Sequence, residues 1–341
     1  SSQAHGRCKM KHVNVALFVP HYGCPHQCSF CNQKTITGVK KPLMPSDVDE
    51  AVSTALKSSK VSSGQSEIAF FGGSFTAIDR EYMLSLLESA YKYVREGLFK
   101  GIRISTRPDC IDLEILDILK KYGVTSIELG AQSMSDRVLK MNDRGHTSSD
   151  VENASELIKE YGFELGLQMM TGLYGDDDET AVMTSEKIAS LSPATVRIYP
   201  TAVLEKTRLA ELYRSGEYKP QTVDEAVNLC AKLLKIFYDN NIKVIRVGLH
   251  SGGGLDDGYI TGAYHPAFRE LCEGRMYLDA VIKKIKENDI SGSVTAYVSP
   301  GDVSRMTGQN RRNINYLSSI GVNLKVRERE GVERFNPVIE I

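Results

Sequence analysis

Three cysteines near the start of the chain stand close enough together to hold a metal. The stretch GCPHQCSFCNQ, residues 23–33, contains Cys24, Cys28 and Cys31 at C-x3-C-x2-C spacing. A structural zinc site needs a fourth protein ligand, usually from a second knuckle, and the sequence has His21 and His26 nearby but no such knuckle. Iron–sulfur clusters are normally held by cysteine thiolates. The triad therefore favours a [4Fe–4S] cluster with three protein ligands and one iron open to a further ligand, with zinc as the alternative.

Short β-rich runs alternate with amphipathic helical stretches along most of the chain. Two helix starts are marked by capping boxes, one pairing Ser46 with Asp49 and the other pairing Thr222 with Glu225. This alternation predicts a parallel sheet, either doubly wound or curled into a barrel. The strand-like runs are residues 13–19, 66–73, 101–107, 125–132, 163–170, 194–201 and 242–249.

The polar residues within these runs favour the barrel. Arg103, Ser105 and Arg107 alternate along one run and so share one face of it. A doubly wound sheet is covered on both sides and should be apolar on both faces, whereas a barrel with a polar lumen explains the pattern. Its chemistry would lie at the carboxyl ends of the strands, and the cysteine loop directly follows the first run. The same alternation occurs at Glu128, Gly130 and Gln132, at Glu164, Gly166 and Gln168, and at Arg197 and Tyr199.

The length of 341 residues allows one large domain and a small one. We predict an N-terminal tail over 1–12, the barrel over 13–250, a linker over 251–262 containing SGGGLDDG, and a small C-terminal α/β domain over 263–341. A net charge of −1 gives no global basic field. Seven cysteines, three of them bunched, suit a reducing cytoplasm better than a disulfide framework. The early apolar run is too short to span a membrane, so we expect a cytoplasmic protein with no membrane partner.

The cysteine triad is similar to that of radical SAM enzymes, in which S-adenosylmethionine chelates the open iron of the cluster. In the light of that resemblance, the paired glycines Gly72 and Gly73, followed by Ser74, would let backbone carbonyls approach an ammonium group, although a tight turn is the alternative. Phe30 would pack on the adenine, or simply within its loop. Ser105 would suit a ribose hydroxyl.

Arg107 would bind the carboxylate of that cofactor. Its alternative role is an internal ion pair with Glu128 or Glu164. His146 is expected to hold a loop rather than to catalyse. The acidic run over 175–179 is expected to cap the helix that starts near Thr180 rather than to bind a metal.

Longer motifs make the resemblance more specific, because they occur in order over about residues 13–277. The chain resembles a radical SAM protein of the Elongator catalytic-subunit type in the stretches FFGGSF, STRPDC, IELGAQS, DRGHT, QMMTGL, VRIYPTAVLEKTRLAELYRSGEYKP and HPAFRELCEGRM. The resemblance implies a partial (β/α)6 TIM-like barrel of mixed α/β class and reductive cleavage of S-adenosylmethionine to a 5′-deoxyadenosyl radical. It assigns the cluster to Cys24, Cys28 and Cys31, and the substrate side to Arg197 and Tyr199. It assigns the cofactor site to Gly72, Gly73, Ser74, Ser105, Arg107, Gln132 and Gln168.

Three departures from that type limit the resemblance. The gap between the first two cluster cysteines is x3 here and much longer there. Only about 64 residues follow Tyr277, too few for the acetyltransferase domain of that subunit, so we expect that domain to be absent. Arg197 stands where the subunit has a lysine, and an arginine clamps anions but cannot act as a neutral base.

The sequence therefore predicts a radical SAM enzyme that abstracts hydrogen from its substrate, with a reductant such as flavodoxin or ferredoxin as partner. The substrate is either tRNA or a small molecule, the latter in the manner of coproporphyrinogen oxidase. The non-enzymatic alternative is a zinc-binding interaction module. If tRNA binds, we expect a local basic surface formed by Arg311, Arg312, Lys325 and Arg327 to contact it.

Overall fold

The computed structural model describes residues 14–19, 27–32, 41–58, 64–249 and 258–341. Within them the main sheet has seven strands, all parallel, in the order β1-β2-β3-β4-β5-β6-β8. The sheet curls into a half-barrel of mixed α/β class, as predicted, and all seven predicted runs form its strands. The implied six-stranded barrel thus has a seventh parallel strand, β8, beside β6. The strands up to this point are β1 Asn14–Val19, β2 Glu67–Gly72, β3 Gly101–Thr106, β4 Val124–Gln132, β5 Glu164–Thr171, β6 Thr195–Pro200, β7 Ala202–Leu204 and β8 Lys243–Val247.

Helices cover the convex face of this sheet, because every second strand residue is apolar and needs burial. Phe70 and Ile104 are fully buried there, together with Leu86 and Leu87 of the covering layer. The opposite face of the same strands carries the polar residues that alternate with these apolar ones. The helices are α1 Pro45–Leu56, α2 Arg80–Arg95, α3 Leu113–Lys121, α4 Asp136–Met141, α5 Ser148–Glu160, α6 Asp178–Ser190, α7 Arg208–Ser215 and α8 Val223–Asp239.

The helix caps test the local signals in the sequence. Thr222 and Glu225 form the predicted capping box of α8, and Asp177 caps α6 through the backbone N–H of Thr180. The box predicted at Ser46 and Asp49 is wrong. Proline is favoured at the first helical position, so α1 starts at Pro45 and the Asp47 carboxylate accepts the Met44 N–H at 2.7 Å.

The C-terminal part is a small α/β unit with its own core. It comprises α9 Phe268–Glu287, β10 Gly292–Val298, α10 Val303–Thr307, α11 Arg312–Ser319, β11 Val322–Glu328 and β12 Val338–Glu340. Strand β10 lies between β11, which is parallel to it, and β12, which is antiparallel. Helix α9 joins the two cores, since Cys272 is buried against the barrel and Val281 in the small unit.

The predicted linker over 251–262 ends in regular structure. Residues 251–257 lie outside the described residues, and β9, Tyr259–Gly262, pairs antiparallel with β7. No helix within the described ranges is both long and apolar enough to cross a bilayer.

Candidate active site

The cysteine loop directly follows β1, at the rim formed by the carboxyl ends of the strands. Cys28 is buried and Cys31 is half-buried, and the Cys31 N–H donates to the Cys28 carbonyl at 3.1 Å. This hydrogen bond closes a tight turn that carries both thiols. Cys24, the third predicted ligand, lies outside the described residues.

Two separate elements hold this loop in place. The Ser29 N–H donates to the Asn142 carbonyl at 3.0 Å, and the Ser29 hydroxyl donates to Asn142 Oδ1 at 2.7 Å. From the other side, the Leu209 N–H donates to the Ser29 carbonyl at 2.8 Å, and the Asn32 amide donates to the Glu205 carbonyl at 2.9 Å. The loop is therefore clamped between the turn after α4 and the start of α7, two segments that the sequence analysis did not connect to it.

Arg144, in that turn after α4, reaches the loop itself. Its Nη1 lies 3.7 Å from Cys28 Sγ, and its Nη2 donates to the Gly130 carbonyl at 2.8 Å. The side chain is buried. The Arg144 carbonyl in turn accepts a hydrogen bond from Arg107 Nη2 at 2.7 Å. Sequence reasoning missed Arg144, although it lies two residues before His146 within the DRGHT motif.

The end of β2 requires glycine. Gly72 has a φ of +109°, and a Cβ there would lie 2.2 Å from the carbonyl oxygen of Val19. This close approach brings the ends of β1 and β2 together, and Gly73 follows in a half-buried position. The chain bends at Gly73, which leaves the glycine backbone at the rim.

The end of β3 adds three polar side chains to the same rim. Ser74 Oγ lies 2.8 Å from Thr106 Oγ1 and accepts the Arg107 N–H at 3.2 Å, so the ends of β2 and β3 are tied together. Ser105 is buried close by. Arg107 donates twice to the Asp109 carboxylate, both at 2.9 Å. The alternative pairing of Arg107 with Glu128 or Glu164 is wrong, because Arg107 lies beyond the end of β3 whereas those glutamates lie deeper in the lumen.

Arg103, four residues earlier on the same face of the chain, pairs with those glutamates instead. Its guanidinium contacts Glu67 at 2.8 Å, Glu128 at 3.3 Å and Glu164 at 2.8 Å. Burial opposes the charge of Arg103, but the three carboxylates outweigh it and raise its pKa. Likewise burial opposes ionisation of Glu67, but Arg103 and two hydroxyls lower its pKa. The lumen thus contains a paired charge network, which buried charges require.

Glu128 is the centre of this network. It accepts two hydrogen bonds from Arg197, at 2.8 and 3.0 Å, and one from the Gln168 amide at 2.9 Å. Tyr199 lies beside Arg197, and burial raises the pKa of its hydroxyl. The structure therefore brings Gln168, Arg197 and Tyr199 together, and the guanidinium of Arg197 is already held by a carboxylate.

A bulge in β4 changes the direction of the Gln132 side chain. The register shifts between Gly130 and Gln132, and Gln132 has a φ of +65°. A Cβ on Gly130 would meet Gln132 Nε2 at 2.8 Å and Arg144 Nη2 at 3.0 Å. Bulges commonly re-aim a side chain beside active sites, and this one places Gln132 next to Arg144.

Phe30, on the cysteine loop, and His146, in the turn after α4, both contact neighbouring parts of the protein. Phe30 packs on the apolar cluster that contains Val203, Leu209 and Tyr218, which agrees with the alternative of loop packing. His146 Nε2 lies 3.1 Å from the Ala131 carbonyl. Burial, together with the positive charge of Arg144, lowers the pKa of His146 to about 4. His146 is thus neutral at neutral pH and donates from Nε2 to that carbonyl.

Three buried polar atoms at this rim have no hydrogen-bond partner within the described parts of the chain. They are Ser105 Oγ, Arg144 Nε and His146 Nδ1. Buried polar atoms in native proteins nearly always have a partner. A polar ligand beside the cysteine loop would supply one, so the residues present fit a cluster together with a polar cofactor. The described residues contain no group of three or more metal-ligating side chains, and the acidic run over 175–179 serves α6 instead.

Comparisons with known proteins agree with this geometry. The family described as "Radical SAM superfamily" matches residues 18–188, and the "Radical_SAM C-terminal domain" matches residues 193–278. A Methanocaldococcus jannaschii tRNA uridine(34) acetyltransferase is 34% identical over 184 residues, which cover 48% of this chain and 34% of that protein. Human Elongator complex protein 3 is 32% identical over 193 residues, which cover 50% and 35%.

A solved structure supports the fold. It is the archaeal Methanocaldococcus infernus Elp3 with an N-terminal deletion, with a TM-score of 0.60 at 21% identity over 82% of this chain and 64% of that one. The match to the two curated relatives spans only about a third of their length.

Proposed function

The chain belongs to the radical SAM superfamily, and from that premise we propose that it is an enzyme that cleaves S-adenosylmethionine reductively and abstracts hydrogen from its substrate. Members of this superfamily bind a [4Fe–4S] cluster and S-adenosylmethionine. The observation that carries the proposal is the turn that places Cys28 and Cys31 at the rim of a parallel half-barrel, beside unpartnered buried polar atoms. The non-enzymatic zinc module is not retained, since the family is one of enzymes.

The predicted residues at that rim have proposed roles toward the two cofactors. Cys24, Cys28 and Cys31 would hold the cluster. When bound, the two cofactors together supply a 5′-deoxyadenosyl radical. The backbone carbonyls at Gly72 and Gly73 would accept hydrogen bonds from the ammonium group of the cofactor, since glycine leaves the backbone open to close approach.

Ser105 and Arg107 would bind the ribose and the carboxylate of the cofactor. Arg107 is suited to this because Asp109 and the Arg144 carbonyl already fix its guanidinium, so little side-chain entropy is lost on binding. Ser74 helps to hold Arg107, because its hydroxyl oxygen accepts the Arg107 backbone N–H. Gln132 would approach the cofactor beside Arg144.

The substrate side is the lumen around Tyr199. We infer that Arg197 acts mainly as the counter-ion of Glu128 rather than as a binding group for an anionic substrate. Glu128 accepts hydrogen bonds from both Arg197 and Gln168 and so orients the two side chains. Tyr199 would then be the group that faces the hydrogen to be abstracted. Its pKa is raised by burial, so it stays a neutral hydrogen-bond donor at physiological pH.

The proposed substrate is tRNA, and the proposed electron donor is a flavodoxin or ferredoxin. One curated relative supports the substrate by its printed name, tRNA uridine(34) acetyltransferase. The positive charge of the predicted basic surface is partly neutralised, because Arg312 pairs with Asp224 at 2.9 Å. Lys325 and Arg327 remain exposed on one face of β11.

Iron analysis and cofactor cleavage test the chemistry. Anaerobically reconstituted protein should contain about four irons per chain and form 5′-deoxyadenosine with dithionite. Cys28→Ala should lose both. Cys230→Ala, a buried thiol between α8 and α9, is the matched control and should lose neither. Stoichiometric zinc without sulfide would refute the proposal.

Salt-dependent binding tests the substrate. Lysine and arginine contacts to phosphates release counterions, so tRNA affinity should fall steeply between low and moderate salt. The double change of Lys325 and Arg327 to alanine should weaken binding and flatten that dependence. Lys235→Ala on α8, an exposed lysine paired with Asp239, is the control. Absence of binding at low salt would remove tRNA and leave a small-molecule substrate.

A further inference from the structure

We propose that Arg144 is a positioning residue that donates a hydrogen bond to the sulfur of Cys28 and thereby raises the reduction potential of the cluster. The proposal rests on the proposed function, because it concerns the cluster that Cys28 would ligate. Nothing in the motif spacing assigns this role, since Arg144 and Cys28 are 116 residues apart in the chain.

The geometry of Arg144 is that of a fixed donor. Its Nη1 lies 3.7 Å from Cys28 Sγ while its Nη2 donates to the Gly130 carbonyl at 2.8 Å. Because the guanidinium is planar and rigid, anchoring one nitrogen also orients the other. The backbone of Arg144 is held as well, by the hydrogen bond from Arg107 to its carbonyl. Both ends of the side chain are therefore fixed relative to the sulfur.

The charge of Arg144 is not neutralised locally. Arg144 is 6% exposed and makes no ion pair with a carboxylate in the part of the chain that the structure describes. The nearby carboxylate of Asp109 is engaged by Arg107. His146 adds no compensating charge, because it is neutral at neutral pH. A positive charge therefore faces the sulfur from within the protein, where solvent screens it little.

This arrangement favours the reduced cluster. Reduction adds one electron to the cluster and its thiolates, so a hydrogen-bond donor with positive charge at a ligating sulfur stabilises the reduced state more than the oxidised one. Hydrogen bonds to the sulfurs and local charge are established determinants of iron–sulfur potentials. The cluster of a reductive enzyme must accept an electron before cofactor cleavage, and Arg144 would make that step easier.

Potentiometry with electron paramagnetic resonance detection tests the inference in the reconstituted full chain. In Arg144→Gln we expect the ratio of reduced to oxidised cluster at a fixed potential to fall at least tenfold, which corresponds to about 59 mV for a one-electron couple. Arg144→Lys keeps the charge and should show a smaller fall. Arg208→Gln is the matched control. Arg208 is an exposed arginine on α7 that pairs with Asp143, the residue before Arg144. Its potential should equal that of the unchanged protein.

A second measurement needs no substitution. In unchanged protein labelled with ¹⁵N-arginine, pulsed resonance of the reduced cluster should show hyperfine coupling to an arginine nitrogen. Absence of that coupling would overturn the inference even if Arg144→Gln fails to load a cluster. An unaltered potential in Arg144→Gln, alone or with a loss of S-adenosylmethionine affinity, would also overturn it. Protein that binds only zinc would instead refute the proposed function itself.

Discussion

Glu128 should contribute more to stability than Glu164, another carboxylate of the lumen, and Glu128→Gln tests this with almost no change in shape. Glu128 is 1% exposed and accepts hydrogen bonds from Arg103, Gln168 and, twice, Arg197. The substitution removes one negative charge from a network in which Glu67, Glu128 and Arg103 are buried. Arg103 keeps its contacts with Glu67 and Glu164, but Arg197, with a 14% exposed side chain, loses its carboxylate.

The magnitude follows from that uncompensated guanidinium. Breaking a buried ion pair by removing one partner costs about 3–5 kcal/mol. Glu164→Gln is the matched control, because Glu164 contacts the same Arg103 but is 31% exposed. Water and the remaining carboxylates replace it there, so we expect a loss of about 0–1 kcal/mol. The two variants should differ by at least about 2 kcal/mol.

Urea denaturation of the cofactor-free protein measures both variants under one set of conditions, with the transition midpoint and the m-value compared. Adding Arg197→Met to Glu128→Gln removes the uncompensated charge, so the double variant should be more stable than Glu128→Gln alone. Equal losses for Glu128→Gln and Glu164→Gln would show that the lumen is wetter than this network implies. An Arg197→Met change that lowers stability further would refute the assignment of Arg197 as the counter-ion.

The remaining predictions concern two titrating groups and one glycine. Burial and then Arg144 hold the pKa of His146 at about 4, so the unfolded chain binds more protons between pH 6.5 and 4 and stability falls as pH falls, by at most about 3 kcal/mol. His146→Asn should remove this pH dependence of stability. If the denaturation midpoints of the variant at pH 7 and pH 4.5 differ as much as those of the unchanged protein, the prediction is contradicted. Burial raises the pKa of Asp176 to about 7, so the folded state binds more protons between pH 3.8 and 7 and stability falls as pH rises. Asp176→Asn should therefore gain stability relative to the unchanged protein at pH 7.5 but not at pH 4, and an equal effect at both pH values would refute this. Gly72→Ala places a Cβ 2.2 Å from the Val19 carbonyl oxygen, which is backbone and cannot move aside, so soluble yield and melting temperature should both fall; normal values would refute the assigned close approach.

Much of the fold was predictable because its signals are local. The seven strands and the Thr222 capping box follow from periodicity and short-range pairs, and each is found where the sequence places it. The polar alternation along β3 and β4 also correctly favoured a barrel over a doubly wound sheet. The local signal failed at Ser46, where Pro45 one residue earlier determines the helix start.

The cysteine triad and the rim motifs were likewise readable, because each is contiguous in the chain. Cys28 and Cys31 lie on one turn, and Gly72 occupies a position that excludes a side chain. The superfamily match supports the cluster and S-adenosylmethionine as the cofactors. The individual roles of these residues toward the two cofactors are the ones proposed above.

By itself, then, the sequence determined the strands, the helix start at Thr222, the cluster motif and the superfamily, all of which depend on spacing within a few turns of chain. Only the tertiary structure decided which side chains meet. Arg144 and Cys28 are in contact although 116 residues separate them in the chain. Asn142 and Ser29 are hydrogen-bonded across 113 residues, and Glu128 and Arg197 across 69 residues. Such partners are set by the curl of the sheet, by the bulge in β4 and by how far along its strand each residue lies. Periodicity gives the face of a strand but not the depth at which a side chain meets its neighbour, which is why Arg103, not Arg107, pairs with the lumen glutamates.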